Sequence, residues 1–351
     1  MTLAGASTGI ALTQELSGLA DEALAARCAW LYHVGELSQG EVASKLGVSR
    51  TRVNRLLQEA RSDGRVSIRI DHDAARLSAV EQAITDSFKL DFCLTTPPIG
   101  LDDLDLSDPN QRAVQGRIAR RAVGVAAARF FEAKLRHTPS LTVGVAWGRT
   151  CMEMAANLAG LRAPEARFVS LMGSFGRHGG ASAFEVVQGL SARTGGQGFF
   201  LPVPFVADTP SDCRVLMAQS VVQETLGVAR EADINIISVG ELDEQALIRQ
   251  LDMISATDLN ALLGSGAVAD TAGHFFDSDG RLVHDHPLDG RMVALPAAEV
   301  GRVPTVLLAA GGEKIAAIRA LLLSGLVDAM IIDGDTATVL SASTLPDHTN
   351  H

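Results

Sequence analysis

Aromatic side chains are scarce. Phe, Trp and Tyr make up 4% of 351 residues, with one tyrosine and two tryptophans. The core must therefore be built from Ala, Val, Leu and Ile. Cysteine is scarce too. Cys28, Cys93, Cys151 and Cys213 lie far apart with no C-x-x-C pair, which excludes a disulfide scaffold and a zinc ribbon. Reduced, buried thiols in a cytoplasmic protein are expected. No basic residue precedes Arg27, so no secretory signal with an early positive segment is expected. No run of about 18 uncharged apolar residues occurs. The longest apolar region, 315–332, is broken by Arg319, Ser324, Gly325 and Asp328. No membrane partner is expected. Positive charge is also in deficit: the net charge is -11. That excludes a protein that coats nucleic acid over its whole surface.

The residues that are present support a folded chain. Hydrophobic residues make up 47% and charged residues 20%, enough for a sizeable core. At roughly 150 residues per domain, the length suggests two domains. The charge is unevenly placed. Between Glu36 and Ile70 lie seven basic residues and four acidic ones. The basic ones are Lys45, Arg50, Arg52, Arg55, Arg61, Arg65 and Arg69; the acidic ones are Glu36, Glu41, Glu59 and Asp63. A basic module on an acidic body is a signature of local nucleic-acid contact.

Four segments follow along the chain: a leader over 1–20, a compact unit over 21–70, a linker or oligomerisation helix over 71–89, and an effector domain over 90–341. In the linker, Leu77, Val80, Ile84 and Phe88 recur at helical spacing. From about residue 90, apolar β-rich runs at 141–147, 168–172, 199–206, 234–239, 305–310 and 329–332 alternate with helical patterns. The helical patterns cover roughly 111–136, 150–160, 181–194, 211–229, 242–262 and 312–325. Alternation of this kind predicts an α/β fold whose mostly parallel sheet is covered on both faces. One exception is 274–284, where Asp277-Ser278-Asp279-Gly280 reads as a hairpin turn.

The 21–70 unit reads as a winged helix-turn-helix. An apolar stripe (Ala23, Leu24, Cys28, Leu31) marks a first helix. Ser38 and Glu41 form an S-x-x-E capping box for a second. Gly47 fits a left-handed cap, and Ser49 starts a third helix. At 100° per residue, Val53, Leu56, Leu57 and Ala60 face the core. Thr51, Arg55 and Gln58 face away, with Arg52 and Asn54 on the flanks. Arginine can bond guanine bidentately, and Asn or Gln can bond adenine likewise. Ser49, Arg50, Thr51, Arg52, Asn54, Arg55 and Gln58 are therefore the DNA-binding candidates. Arg65 joins them on a wing strand over 65–70. An ordinary three-helix packing element with a solvated basic face is the bland alternative.

Three strand-to-helix loops can hold a ligand. Gly148-Arg149-Thr150 offers helix N-terminal amides and a hydroxyl, an arrangement suited to anions. The second loop runs from Gly173 and contains Arg177. The third contains Lys314, one of only four lysines. Asp208 and Asp270 lie at other strand ends, and Asp333 reads as a helix start. Metal binding by His284 and His286 lacks a third ligand at a recognisable spacing, and no cofactor is expected.

Several motifs together resemble the SorC family of sugar-binding transcriptional regulators. They are Trp30-Leu31-Tyr32-His33-Val34-Gly35, Ser38-Gln39-Gly40-Glu41-Val42-Ala43, Val53-Asn54-Arg55-Leu56-Leu57, Val143-Gly144-Val145-Ala146-Trp147-Gly148-Arg149-Thr150, Leu201-Pro202-Val203-Pro204, Gly266-Ala267-Val268-Ala269-Asp270 and Ala309-Ala310-Gly311-Gly312-Glu313-Lys314. The resemblance covers roughly 25–340. It departs at Ala269, where glycine is usual, and at Ser174-Phe175-Gly176. It implies a Rossmann-like effector domain similar in fold to sugar-phosphate isomerases. It also implies double-stranded operator DNA and a carbohydrate, polyol or phosphosugar effector as partners, and assembly as a dimer or tetramer. The effector-binding candidates are Gly148, Arg149, Thr150, Gly173, Arg177, Asp208, Asp270 and Lys314. The rival is an isomerase-like enzyme working through Asp270, Glu313, Lys314 and His178.

Overall fold

The structure is a computed structural model, and it describes residues 22–66, 74–100, 108–174 and 182–343. The chain divides into two compact units, 1–71 and 72–351.

Among the described residues the first unit has three helices: α1 over 22–33, α2 Gln39–Leu46 and α3 Arg50–Ser62. Local chemistry sets both ends of α2 and the start of α3. Ser38 Oγ accepts from the Glu41 amide at 3.4 Å, and the Glu41 carboxylate accepts from the Ser38 amide at 2.8 Å. Gly47 closes α2 in the left-handed conformation at φ 65°. Ser49 caps α3 through the Arg52 amide at 3.2 Å. Cys28, Val42, Val53, Leu56 and Ala60 are fully buried between the helices. The expected wing lies mostly outside the described residues. Within them, Val66 donates back to the Ala60 carbonyl at 3.0 Å, and neither Arg65 nor Val66 is in a strand.

The second unit starts with α4 Ala74–Phe88, then β1 Phe92–Thr95, α5 Pro109–His137, β2 Thr142–Val145, α6 Arg149–Asn157 and β3 Arg167–Ser174. It continues with α7 Ala183–Thr194, β4 Gln197–Pro204, α8 Pro210–Met217, α9 Ser220–Arg230, β5 Ile234–Ser238 and β6 Gly240–Glu241. After α10 Leu247–Gln250 and α11 Ala256–Gly264 come β7 Ala267–Thr271, β8 His274–Asp277, α12 Ala297–Val300 and β9 Thr305–Ala309. A 3-10 turn, Gly312–Lys314, leads into α13 Ile315–Leu323, β10 Ala329–Ile332 and α14 Gly334–Ala342.

Seven strands form one sheet in the order β1-β10-β9-β5-β2-β3-β4. All neighbours run parallel. Side chains alternate between its two faces, as the pleat requires. On β9, Val306 and Leu308 join one core with Phe131 of α5 and Met154 of α6. Leu307 and Ala309 join the other with Ile84 of α4, Leu226 of α9 and Leu321 of α13. The helix over 74–88 thus packs on its own body. Pro202 and Pro204 are exposed on β4, an edge strand, where a missing amide donor is tolerated.

A second, antiparallel sheet has the order β6-β7-β8. The 277–281 turn follows β8: Gly280 donates to the Asp277 carbonyl at 3.0 Å, and Asp277 to the Arg281 carbonyl at 2.9 Å. Two expected helices are each divided. The 211–229 pattern is α8 and α9, and 242–262 is α10 and α11. The strands β1, β6 and β7 lie outside the runs expected from the sequence.

The sheet order has one reversal of winding. From β2 the chain steps to β3 and β4; from β5 it steps to β9 and β10. The adjacent strands β2 and β5 therefore flank a topological switch point. Crevices that hold ligands open at the carboxyl ends of such strands.

Candidate functional site

Each unit presents one candidate site. In the first, α3 buries Val53, Leu56, Leu57 and Ala60. Arg50, Thr51, Arg52, Asn54, Arg55 and Gln58 are exposed, as the helix phase requires. Ser49, Thr51, Arg52 and Arg55 line one shallow concavity. Arg55 Nε lies 3.3 Å from Glu59 Oε1 with both side chains about half exposed. Such a pair is weak and yields readily to a phosphate or a base. Arg65 behaves differently from its expected place on a wing. Its guanidinium bonds Asp63 at 2.8 Å and the Glu22 carbonyl at 3.1 Å, tying the end of α3 to α1.

In the second unit, a narrow cleft opens at the switch point, with enclosed room of about 20 Å³, the space of a single water. The loop after β2 contributes Trp147, Gly148, Arg149 and Thr150, and the loop after β5 contributes Ser238, Val239 and Gly240. Arg120, Leu247, Asp270 and Lys314 complete the lining. Ser238 Oγ donates to the Trp147 carbonyl at 2.7 Å and so locks the two loops together. Gly148 has φ 137°, a conformation open to glycine, and a Cβ there would collide with Ser238 Oγ. Gly148 gives α6 no side-chain cap, so the first amides of that helix are left for other partners.

The charges in the cleft fall into matched and unmatched groups. Lys314 is buried; its Nζ donates to the Val239 carbonyl at 2.9 Å and lies 2.8 Å from Glu241 Oε2. Burial is the largest single effect and acts to raise the Glu241 carboxyl, but the Lys314 charge and hydrogen bond, a backbone hydrogen bond and the Arg149 charge together hold the group below its ordinary value. Asp270 is pushed up to about 7 by burial, with Glu241 reinforcing the rise and Lys314 opposing it. Its carboxylate packs over Gly240, where a Cβ would collide with Oδ1. Burial also raises Glu313, whose Oε2 has no hydrogen-bond partner among the described residues. Burial, then the neighbouring Arg149, lower Arg120 to about 10. The 3-10 turn carrying Lys314 is anchored by Asp333. One Asp333 oxygen accepts from the Gly311 amide at 2.9 Å; the other caps α14 through Thr336 at 3.0 Å.

Of the effector candidates, Gly148, Arg149, Thr150, Asp270 and Lys314 come together. Three do not. Gly173 is buried, and a Cβ there would lie 2.6 Å from the Pro204 carbonyl oxygen, so close strand packing demands glycine. Asp208 is exposed and lines a separate groove with Val206, Asp212 and Val215; α8 is capped by Thr209 instead. Arg177 and His178 lie outside the described residues. The charge of Lys314 is matched within the protein by Glu241. Sequence reasoning missed Arg120 and Glu241. A signal for Arg120 existed: it sits beside Ala119 and one turn from Val123 and Gly124, on the buried face of α5.

Among the described residues no group of three His, Cys, Asp or Glu side chains is arranged to hold a metal ion. No described helix is long and apolar enough to cross a membrane.

Comparison with known proteins adds an independent line. The Sugar-bind family, described as "Putative sugar-binding domain", matches residues 75–341. The chain is 32% identical over 321 residues to the erythritol catabolism regulatory protein EryD of Brucella abortus (strain 2308), covering 92% of this chain and 97% of that one. It is 28% identical over 330 residues to the transcriptional regulator LsrR of Escherichia coli (strain K12), covering 93% and 96%. Among solved structures, the full-length sorbitol operon regulator SorC from Klebsiella pneumoniae is similar at TM-score 0.67 and 21% identity, over 91% of this chain and 98% of that one. A DeoR family transcriptional regulator from Listeria monocytogenes is similar at TM-score 0.65 and 19% identity, over 76% and 99%. At these identities the structural likeness speaks for the fold.

Proposed function

The chain belongs to the SorC family of sugar-binding transcriptional regulators, and from that premise we propose that α3 reads double-stranded operator DNA while the β2/β5 cleft binds a small effector that changes operator affinity. The observation that carries this reading is the position of the cleft. It lies at the switch point of the sheet, inside the segment that matches the sugar-binding family. Its lining alternates hydroxyl, carboxylate and guanidinium groups with Trp147 and Leu247. Polar groups of both kinds suit a polyol or sugar, whose hydroxyls both donate and accept.

The effector class is a carbohydrate, polyol or phosphosugar, and the regulated genes serve its catabolism. The name of the relative EryD supports a polyol. The protein works in the cytoplasm as a dimer or tetramer, because a two-fold assembly reads two half-sites of a near-palindromic operator. The effector acts by binding more tightly to one of two arrangements of the DNA-binding units.

The isomerase alternative is not favoured. Proton transfer at a sugar carbon needs a base free to exchange its proton. Lys314, its best carrier, is tied to Glu241 and to the Val239 carbonyl. A thermal-shift screen against erythritol, sorbitol and other polyols, sugars and their phosphates tests the reading, since ligands of the folded state raise the melting temperature. Compounds that raise it are expected to change operator affinity without being converted. Turnover of a bound sugar phosphate would restore the enzyme alternative.

A further inference from the structure

Assembly needs a surface, and the helix that the sequence suggested for it is spent elsewhere: α4 packs into the core of its own unit through Ile84. The helix α5 is different. It carries six arginines and Lys134 against Glu132 alone, on a chain whose net charge is -11. Its outward side is not purely polar. Val114 and Ile118 stand one turn apart and are each 39% exposed; Val125 continues the line, half-buried. Arg117 and Arg121, also one turn apart, are exposed beside them, and neither has a hydrogen-bond or ion-pair partner among the described residues. From Val114 to Val125 the ridge runs about 17 Å, at about 1.5 Å per residue. Arginine interleaved with apolar side chains, with lysine left out, is the composition of a protein interface. Two such ridges would not suit each other, because like charges set face to face repel. The ridge calls for an acidic, apolar counterpart.

The same unit offers one. A groove of about 290 Å³ lies at the end of β4. Val206, Val215 and Leu216 line it, and both charged residues of its lining, Asp208 and Asp212, are acidic. Val215 is 59% exposed. Asp212 accepts from Thr209 Oγ1 at 2.7 Å and stays exposed; Asp208 has no partner among the described residues. Ridge and groove cannot meet within one molecule. The helix α5 reaches the β1 edge of the large sheet, where Phe130 packs on Phe92 with ring centres 5.2 Å apart. The strand β4 is the opposite edge. Six spacings of about 4.8 Å put the two edges about 29 Å apart.

We propose that the α5 ridge of one copy docks into the Asp208 groove of a second copy of this chain. Helices bind grooves through apolar anchors at positions i and i+4. Val114 and Ile118 are those anchors, set against Val206 and Val215, and Arg117 and Arg121 face Asp208 and Asp212. The contact is head to tail, so each copy keeps a ridge or a groove to offer until the assembly closes. The proposal rests on the dimer or tetramer reading and names its surface.

Sedimentation velocity over a dilution series of the full-length protein is the test. The set is wild type, R117E/R121E, D208R, the combined variant R117E/R121E/D208R, and R162E, which reverses an exposed arginine off the ridge. Circular dichroism of each variant is expected to match wild type, and R121E replaces R117E/R121E if the double variant does not fold. Wild type and R162E are expected to associate alike. R117E/R121E and D208R are each expected to dissociate at concentrations at least tenfold higher than wild type does. The combined variant, with both charges reversed, is expected to recover part of the loss. Unchanged association in either R117E/R121E or D208R overturns the docking, as does an equal loss in R162E. No recovery in the combined variant assigns the two losses to separate contacts and overturns it as well. If R117E/R121E keeps its association but loses operator affinity, the ridge meets DNA instead and the proposal falls. A monomeric wild type removes the assembly reading together with this surface. An associating wild type whose ridge and groove variants associate equally well removes the surface alone.

Discussion

The two candidate sites handle charge in opposite ways. On α3 the arginines stand in solvent, and the acid nearest Arg55, Glu59, is itself half exposed. In the cleft, Arg120, Asp270 and Lys314 are all less than a tenth exposed. Exposed charges cost little to keep and little to lose. Their effect appears when DNA arrives. Buried charges must be matched or they strain the fold, so each unmatched one marks a place where a ligand has something to offer. The face proposed to read DNA is thus energetically quiet, whereas the proposed effector cleft is energetically loaded.

The largest expected effect would break the pairing inside the cleft. Lys314→Met leaves Glu241 buried without its counter-charge, which should cost about 3–5 kcal/mol of stability. The double variant K314M/E241Q should recover most of that loss, and a double-mutant cycle by urea unfolding measures the recovery. If the single and double variants are equally unstable, the pair is not what holds the loop.

Next comes pH. The Asp270 carboxyl sits at about 7 when folded, against an ordinary 3.8. Between those values the folded chain holds a proton that the unfolded chain has released. Stability from this group therefore falls as pH rises from about 4 to 7 and is level above that. The loss is on the order of 4 kcal/mol at most, since each pH unit between the two values is worth about 1.4 kcal/mol. Asp270→Asn should remove the slope, so the variant gains on wild type at pH 8 relative to pH 4. Melting temperatures at the two pH values check it, and parallel curves would contradict it.

Smaller effects belong to the exposed face. Arg55→Ala should weaken operator binding by about 1–3 kcal/mol while changing stability by less than about 0.5 kcal/mol. Fluorescence anisotropy and thermal melting separate the two. Ser38→Ala removes the hydroxyl of the α2 capping box and should cost about 1 kcal/mol, read by unfolding of the first unit. A stability loss at Arg55 as large as at Ser38 would blur the contrast between the two sites.

The same contrast explains what was legible in the sequence. The helix-turn-helix is written in local signals. Ser38 with Glu41, then Gly47, then Ser49, fix α2 and α3 within a dozen residues, and the 3.6-residue period orients α3. The strand runs were legible for a similar reason, as β-rich apolar segments between helical patterns. The four-residue β1 was not. Its partner, β10, lies more than two hundred residues away in the chain, and pairing rather than pattern makes it a strand. Arg120 and Glu241 escaped for the same reason. The apolar neighbours of Arg120 mark a buried face of α5, but they do not say that the helix delivers it to the loops after β2 and β5. Gly173 and Asp208 show the converse. Each stands at a strand end, as a binding residue would, yet one serves strand packing and the other faces a separate groove.

The most direct test of effector control is a titration of fluorescent operator DNA with the full-length protein, with and without each compound that raises its melting temperature. At least one sugar, polyol or phosphosugar is expected to shift operator affinity tenfold or more. Thr150→Ala, at the first turn of α6, is expected to blunt that response while leaving ligand-free DNA binding unchanged. A compound that binds the cleft saturably yet leaves operator affinity the same would contradict the coupling of cleft to operator.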